Sequence, residues 1–178
     1  IGKSSAKFDR DKLQAFNAEY IRNVSKDRLL EVMRDFLTVT DYPLKEADDK
    51  TLDAIFDMYR QRSKTLVEMA ETASNLFFVD QVEYDPKAVK KVLSKDPANK
   101  VLSDIENMLP ELTPWKAETI HKAIEEYAQK EELKMGKVAQ PIRVAVSGSM
   151  VSPPIDQTLE LLGLEKVLLR IRDAKELT

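Results

Sequence analysis

Apolar side chains recur along this chain at intervals of three and four residues, the spacing that lines up one face of an α-helix. Leu13, Phe16, Asn17 and Tyr20 share such a face. Leu29, Leu30, Met33, Phe36 and Leu37 form a second stripe behind Ser25, whose hydroxyl can cap a helix start. Tyr42-Pro43 breaks that helix, because proline has no N–H to donate and restricts the residue before it. Leu52, Ile55, Phe56 and Tyr59 mark a third stripe at i, i+3, i+4 and i+7. Ser63 is placed to cap a fourth helix, with Leu66, Met69, Ala70 and Ala73 on its inner face. All these stripes are expected to pack a core.

The second half carries stronger punctuation. Asp85-Pro86 pairs an N-cap with proline at the first helical position. It predicts a helix through Val89, Val92 and Leu93 that Pro97 ends. Val101, Leu102, Ile105 and Leu109 predict the next, closed by Pro110. Thr113-Pro114 repeats the cap-plus-proline start ahead of Trp115, Ile120, Ile124 and Tyr127. In Val138–Val146 the periods disagree: Ile142, Val144 and Val146 alternate as in a strand, whereas Val138, Ile142 and Ala145 suit a helix. Ser147-Gly148-Ser149 reads as a loop, and Ser152-Pro153 as a further helix start. Gly163 is expected to stop that helix in left-handed conformation. Val167, Leu168 and Ile171 mark a last helix. The punctuation places a subdomain boundary near residue 84, between Phe77-Phe78 and Asp85-Pro86.

Composition supports helices, because only four glycines interrupt 178 residues and each costs about 1 kcal/mol relative to alanine inside a helix. Cysteine is absent, which excludes disulfides and thiolate metal sites and suits a reducing, cytoplasmic compartment. No apolar run approaches the roughly 20 residues of a membrane span, and no signal peptide is visible. The opening Ile1-Gly2-Lys3 lacks a starting methionine, which suggests a fragment. The net charge of -3 argues mildly against a nucleic-acid binder, but the distribution changes that picture. No acidic residue lies between Asp57 and Glu68, where Arg60, Arg62 and Lys64 stand, nor between Glu132 and Asp156, where Lys134, Lys137 and Arg143 stand. A phosphate backbone could approach at either window.

A search for catalytic chemistry finds none. His121, the only histidine, falls on a charged helix and reads as a solvated surface residue. No Cys-His pair, Ser-His-Asp set, metal-ligand cluster or Gly-rich phosphate loop occurs. Glu125-Glu126 and Glu131-Glu132 are adjacent on helices and diverge. The binding features are better. Arg62 lies at a helix junction, and a guanidinium fork can donate two parallel hydrogen bonds to a base edge. Ser152-Pro153-Pro154-Ile155 is a rigid turn at a helix N-terminus, where free N–H groups and Ile155 could receive a base or a phosphate.

Three segments together carry a resemblance. The first is Lys7-Phe8-Asp9-x-x-Lys12-Leu13-x-x-x-Asn17-x-x-Tyr20-Ile21, the second Arg62-x-x-Thr65-Leu66-x-Glu68. The third, and most specific, runs from Lys134 to Ile171: Lys-x-Gly-x-x-x-Gln-Pro-Ile-Arg-x-Ala, then Ser-Gly-Ser, Ser-Pro-Pro-Ile and Leu-Leu-Gly. Over essentially its whole length the chain resembles the C-terminal anticodon-binding region of bacterial-type glutamyl-tRNA synthetases. Lys134-Met135-Gly136-Lys137 is only superficially similar to the catalytic Lys-Met-Ser-Lys-Ser loop of class I synthetases, since the serines are missing.

The resemblance implies an all-α fold of two consecutive small helical bundles, and helix for Val138–Val146. Residues 1–24 would end the segment joining the catalytic domain, and 25–83 and 84–178 would be the first and second anticodon-binding subdomains. An arginine matching Arg62 reads the third anticodon base in this family. Cytosine's Watson–Crick edge offers it acceptors, whereas guanine's donors stay unmet, so glutamate tRNA is preferred over glutamine tRNA. Lys134, Arg143, Ser152, Pro153 and Ile155 match positions lining the anticodon-loop surface, with Arg60, Lys64 and Lys137 as candidate phosphate contacts. Pro154 departs from the pattern, which often has glycine there, and removes one N–H donor. The implied partners are the anticodon loop of glutamate tRNA and a catalytic domain in the same polypeptide, in a monomer. That domain would use ATP and Mg2+, whereas this chain would hold no cofactor and make no glutamyl-tRNA alone. Two other readings stand beside this one: the helical C-terminal region of a class I lysyl-tRNA synthetase, and a helical protein-interaction scaffold.

Overall fold

A computed structural model describes residues 9–178, and all regular structure among them is helical. The chain divides into two compact units, one ending at Phe78 and the other beginning at Val79.

The first unit contains α1 (Arg10–Asn23), α2 (Lys26–Thr38), a 3-10 turn (Pro43–Glu46), α3 (Asp49–Tyr59) and α4 (Leu66–Phe77). Side-chain oxygens meet the free N–H groups that every helix start leaves. Asp9 accepts from Lys12 N, Ser25 from Arg28 N and Asp48 from Thr51 N. Leu29, Met33 and Leu37 of α2, Leu52, Ile55, Phe56 and Tyr59 of α3, and Met69, Ala70 and Ala73 of α4 are buried, so these stripes do pack a core. Full burial of each large side chain contributes about 1.5–3 kcal/mol. The stripe on α1 behaves differently. Leu13, Phe16 and Tyr20 are exposed by 53%, 60% and 52%, and Ala18 and Ile21 are the residues turned inward.

The second unit contains a short α5 (Pro86–Ala88) that runs into a π-helical turn (Val89–Leu93), then α6 (Ala98–Met108), a 3-10 turn (Leu109–Glu111), α7 (Ala117–Lys130), α8 (Met135–Ser147), α9 (Ile155–Leu162) and α10 (Leu164–Lys175). The centre is α8, which packs on α6, α7, α9, α10 and the π turn. It buries Val138, Pro141, Ile142, Val144, Ala145 and Val146. Burial on several sides explains why its sequence lacks a clean helical period, and Val138–Val146 is helix throughout. Residues 79–84 are held to this unit from within. The buried guanidinium of Arg170 donates to Val79 O (2.9 Å) and Val146 O (2.7 Å). Tyr84 Oη donates to Ala145 O at 3.0 Å, and burial pushes that phenol up to about 12, so it keeps its proton. These links draw the contact boundary to Val79, ahead of the turn signal at Asp85.

Three helix starts differ from the sequence expectation. Thr65, not Ser63, caps α4: its Oγ1 accepts from Glu68 N at 3.0 Å, while Ser63 is buried. Helix α7 begins at Ala117, beyond Thr113-Pro114, because the Glu160 carboxylate from α9 accepts from Ala117 N at 2.8 Å. Helix α9 begins at Ile155, after Ser152-Pro153. Gly163 joins α9 to α10 at φ 78 and ψ 153, positive in φ but not left-handed helical; Gly148, at φ 69 and ψ -2, is the left-handed cap, closing α8.

Candidate nucleic-acid interface

In the first unit the candidate residues sit on the turn between α3 and α4. Tyr59 O accepts from both Arg62 N and Ser63 N at 2.9 Å, which folds the chain back directly after α3. The Glu68 carboxylate then accepts from Lys64 N at 2.8 Å while Thr65 caps Glu68 N, a reciprocal arrangement related to the capping box. From the other side, Asn17 Nδ2 on α1 donates to Lys64 O. This pinned turn presents Arg62 and Lys64 as exposed side chains on a cavity of about 380 Å³. Asp11, Gln14 and Arg22 of α1 line the same cavity.

Arg60 is placed otherwise. Its Nη2 donates to Arg22 O and Val24 O, each at 2.7 Å, and lies 3.4 Å from Ile21 O. It satisfies carbonyls that the end of α1 leaves without helical partners, and so closes the core instead of facing a phosphate.

In the second unit the candidates cluster around the loop joining α8 to α9. Gly148 turns that loop, with its N–H bonded to Val144 O at 2.8 Å and its carbonyl accepting from Asp85 N at 2.9 Å. Ser147 Oγ donates to Arg143 O at 2.7 Å and accepts from Ser149 N at 3.3 Å. The turn brings Ser152 back onto α8, where its Oγ accepts from Arg143 Nε at 3.0 Å. Both side chains are half-buried. A guanidinium held at Nε keeps its plane fixed while its Nη groups point away from that bond, the geometry of an oriented donor fork.

Pro153 and Ile155 face inward, and Ile155 is only 7% exposed. As the loop stands, both side chains anchor it. Pro154 between them is exposed, as is Val151 at the loop tip. Lys134 and Lys137 open α8, whose first turn carries no acidic residue, and both are exposed on the rim of a cavity of about 390 Å³.

Lys91 and Lys95 line that same cavity, and the charge reading of the sequence passed over them. The signal was present: no acidic residue lies between Asp85 and Asp96, a span holding Lys87, Lys90, Lys91 and Lys95. Elsewhere, His121 on α7 places Nδ1 3.4 Å from Asp156 Oδ2 on α9, with about half its side chain in solvent. Among the described residues no group of three or more His, Asp and Glu side chains is placed to hold a metal ion. No helix among them is long and apolar enough to cross a membrane.

The model of the family described as "Anticodon binding domain" matches residues 28–175. The chain is 42% identical over 174 residues to glutamate–tRNA ligase 1 of Alkalilimnicola ehrlichii, a match covering 98% of this chain and 36% of that protein. It is 39% identical over 177 residues to glutamate–tRNA ligase 2 of Halorhodospira halophila, covering 99% and 36%. Among solved structures it is similar to a glutamate–tRNA ligase of Elizabethkingia meningosepticum, with a TM-score of 0.84 and 25% identity over 99% of this chain and 34% of that one. The chain thus spans about a third of the length of each of these proteins.

Proposed function

The chain belongs to the anticodon-binding domain family, and from that premise we propose that it recognises the anticodon loop of glutamate tRNA as part of a glutamate–tRNA ligase. The observation that carries this reading is the presentation of Arg62. Its backbone N–H is tied to α3, Lys64 two residues on is held from α1 and α4, and its side chain is exposed on a cavity that also offers Arg22 and Lys64. An unstacked base meets such a fork edge-on, and the neighbouring cations suit its phosphate. Arg143, oriented by Ser152, supplies a second fork, and Lys134 and Lys137 supply further positive charge. Neither arginine alone specifies an anticodon.

The adenylation and transfer of glutamate, with ATP and Mg2+, belong to a catalytic domain outside these 178 residues, in a monomeric cytoplasmic enzyme. This chain by itself binds tRNA without charging it.

The test is a binding titration of the 178-residue chain against transcripts of glutamate tRNA, of lysine tRNA, and of glutamate tRNA with an unrelated anticodon. Preference for the first, with affinity falling steeply as salt rises, is expected. Equal affinity for all three at moderate salt would overturn the reading.

A further inference from the structure

We propose that the cavity beside the first turn of α8 is an RNA phosphate site, in which Lys91 and Lys95 join Lys134 and Lys137. The inference rests on the anticodon-loop reading above and adds two residues that no motif of the chain marked.

The cavity, about 390 Å³, gathers Lys91, Lys95, Lys134 and Lys137 around a single carboxylate, that of Asp96. All four lysines are exposed, and among the described residues none makes an ion pair within 4.0 Å. Elsewhere in the same unit Lys100, Lys116, Lys122 and Lys175 each reach a carboxylate. Four ammonium groups on one concavity repel each other. Such an arrangement is offset when an anion enters it. The backbone contributes as well: Lys91 stands in the π-helical turn Val89–Leu93, a distortion that occurs often at functional positions.

One further group on the wall suits a ribonucleotide. Gln140 Oε1 is buried and has no hydrogen-bond partner. It can only accept, and an RNA phosphodiester carries no proton to give it, whereas the ribose 2′-hydroxyl beside a bound phosphate can donate to it.

The double variant Lys91→Gln/Lys95→Gln tests the site, because both side chains are exposed and their loss leaves the core intact. Affinity of the 178-residue chain for glutamate tRNA is measured against salt concentration. Losing two phosphate contacts makes the slope of log K against log salt shallower by about 1.4, at about 0.7 per contact on single-stranded RNA. The preference for the glutamate anticodon over an unrelated one stays unchanged, since phosphate contacts position and base contacts specify. Lys91→Arg/Lys95→Arg keeps the original slope. An unaltered slope in the glutamine variant, with anticodon preference intact, overturns the cavity assignment and leaves the anticodon reading standing. A shallower slope in a chain without anticodon preference does the reverse. A titration with inorganic phosphate separates the sources: weak binding lost in the glutamine variant supports the site, and tight phosphate binding with an unaltered RNA slope assigns the cavity to a soluble anion and overturns the proposal.

Discussion

Arg143 Nε donates to Ser152 Oγ across 3.0 Å, joining the middle of α8 to the loop that precedes α9. The two lie nine residues apart and meet because Gly148 reverses the chain between them. Removing the hydroxyl takes away the bond at Nε that helps orient the guanidinium. Its reordering on binding then costs about 1 kcal/mol, roughly a fivefold loss of RNA affinity. Ser152→Ala is expected to show that loss, and Arg143→Ala a larger one. In a double-mutant cycle the serine change is expected to add almost nothing on top of Arg143→Ala, since its effect passes through that side chain. Additive losses in tRNA titrations would mean that Ser152 acts by itself.

Arg62 sits on a turn fixed by backbone bonds to Tyr59 and by the Glu68 carboxylate on Lys64 N. Its substitution therefore removes a donor fork without unfolding the turn. Arg62→Gln is expected to bind tRNAs carrying C or G as the third anticodon base with similar affinity, through loss on the C side of about 1–3 kcal/mol, the worth of one bidentate base contact. Placed in the full-length ligase, the variant is expected to charge glutamine tRNA more readily. Retained discrimination in either assay would remove Arg62 from the reading.

How far these features could be read from the sequence depends on the range of the forces involved. Stripes such as Leu52, Ile55, Phe56 and Tyr59 were legible because helical periodicity reports burial directly. Leu13, Phe16 and Tyr20 carry the same period and are exposed; periodicity cannot say whether anything covers a stripe. Caps were legible where one candidate stood alone, as at Ser25 and Asp85. They were misplaced where partners came from afar, as with Glu160 on Ala117 N. At α4 the Ser63 reading passed over Thr65, and Glu68 three residues after Thr65 was the signal it missed. The arginines divide the same way. Nothing local distinguishes Arg60, spent on carbonyls nearly forty residues earlier, from exposed Arg62. Ile155 turns inward because an eight-residue α9 needs its first apolar residue for packing.

Two glycines in α8 and at its end make opposite predictions. A Cβ at Gly148 would lie 2.0 Å from Glu83 O and 2.8 Å from Val82 Cγ1, on a backbone at φ 69. Neither obstacle is a flexible side-chain tip that could swing away. Gly148→Ala is expected to destabilise the chain by at least about 2 kcal/mol, combining left-handed strain with a backbone clash. At Gly136 a Cβ meets nothing within 4 Å. Gly136→Ala is expected to stabilise by about 0.5–1 kcal/mol, because alanine loses less backbone entropy in a helix. Thermal melts of the two variants check both signs.

Acid sensitivity should centre on Glu106, which ties α6 to α10. Its carboxylate pairs with Arg172 Nε at 2.6 Å and Lys175 Nζ at 3.0 Å, and only 18% of its side chain is exposed. The hydrogen bond from Arg172, followed by that from Lys175, holds it below the usual carboxylate value of 4.5. A group whose folded value is depressed contributes stability only while ionised. That contribution is complete above the unfolded value and disappears as pH falls through the folded one. Glu106→Gln removes the charge at every pH while keeping the shape. The variant is therefore expected to be less stable than the parent by about 1 kcal/mol at pH 7, the upper end for a partly exposed pair reinforced by a second cation. The gap should hold down to about pH 5, then close below 4.5 as the parent's carboxylate takes up its proton. Denaturant melts of both proteins between pH 7 and 3 measure it directly. A gap that persisted at pH 3 would place the effect in packing and not in the charge on Glu106.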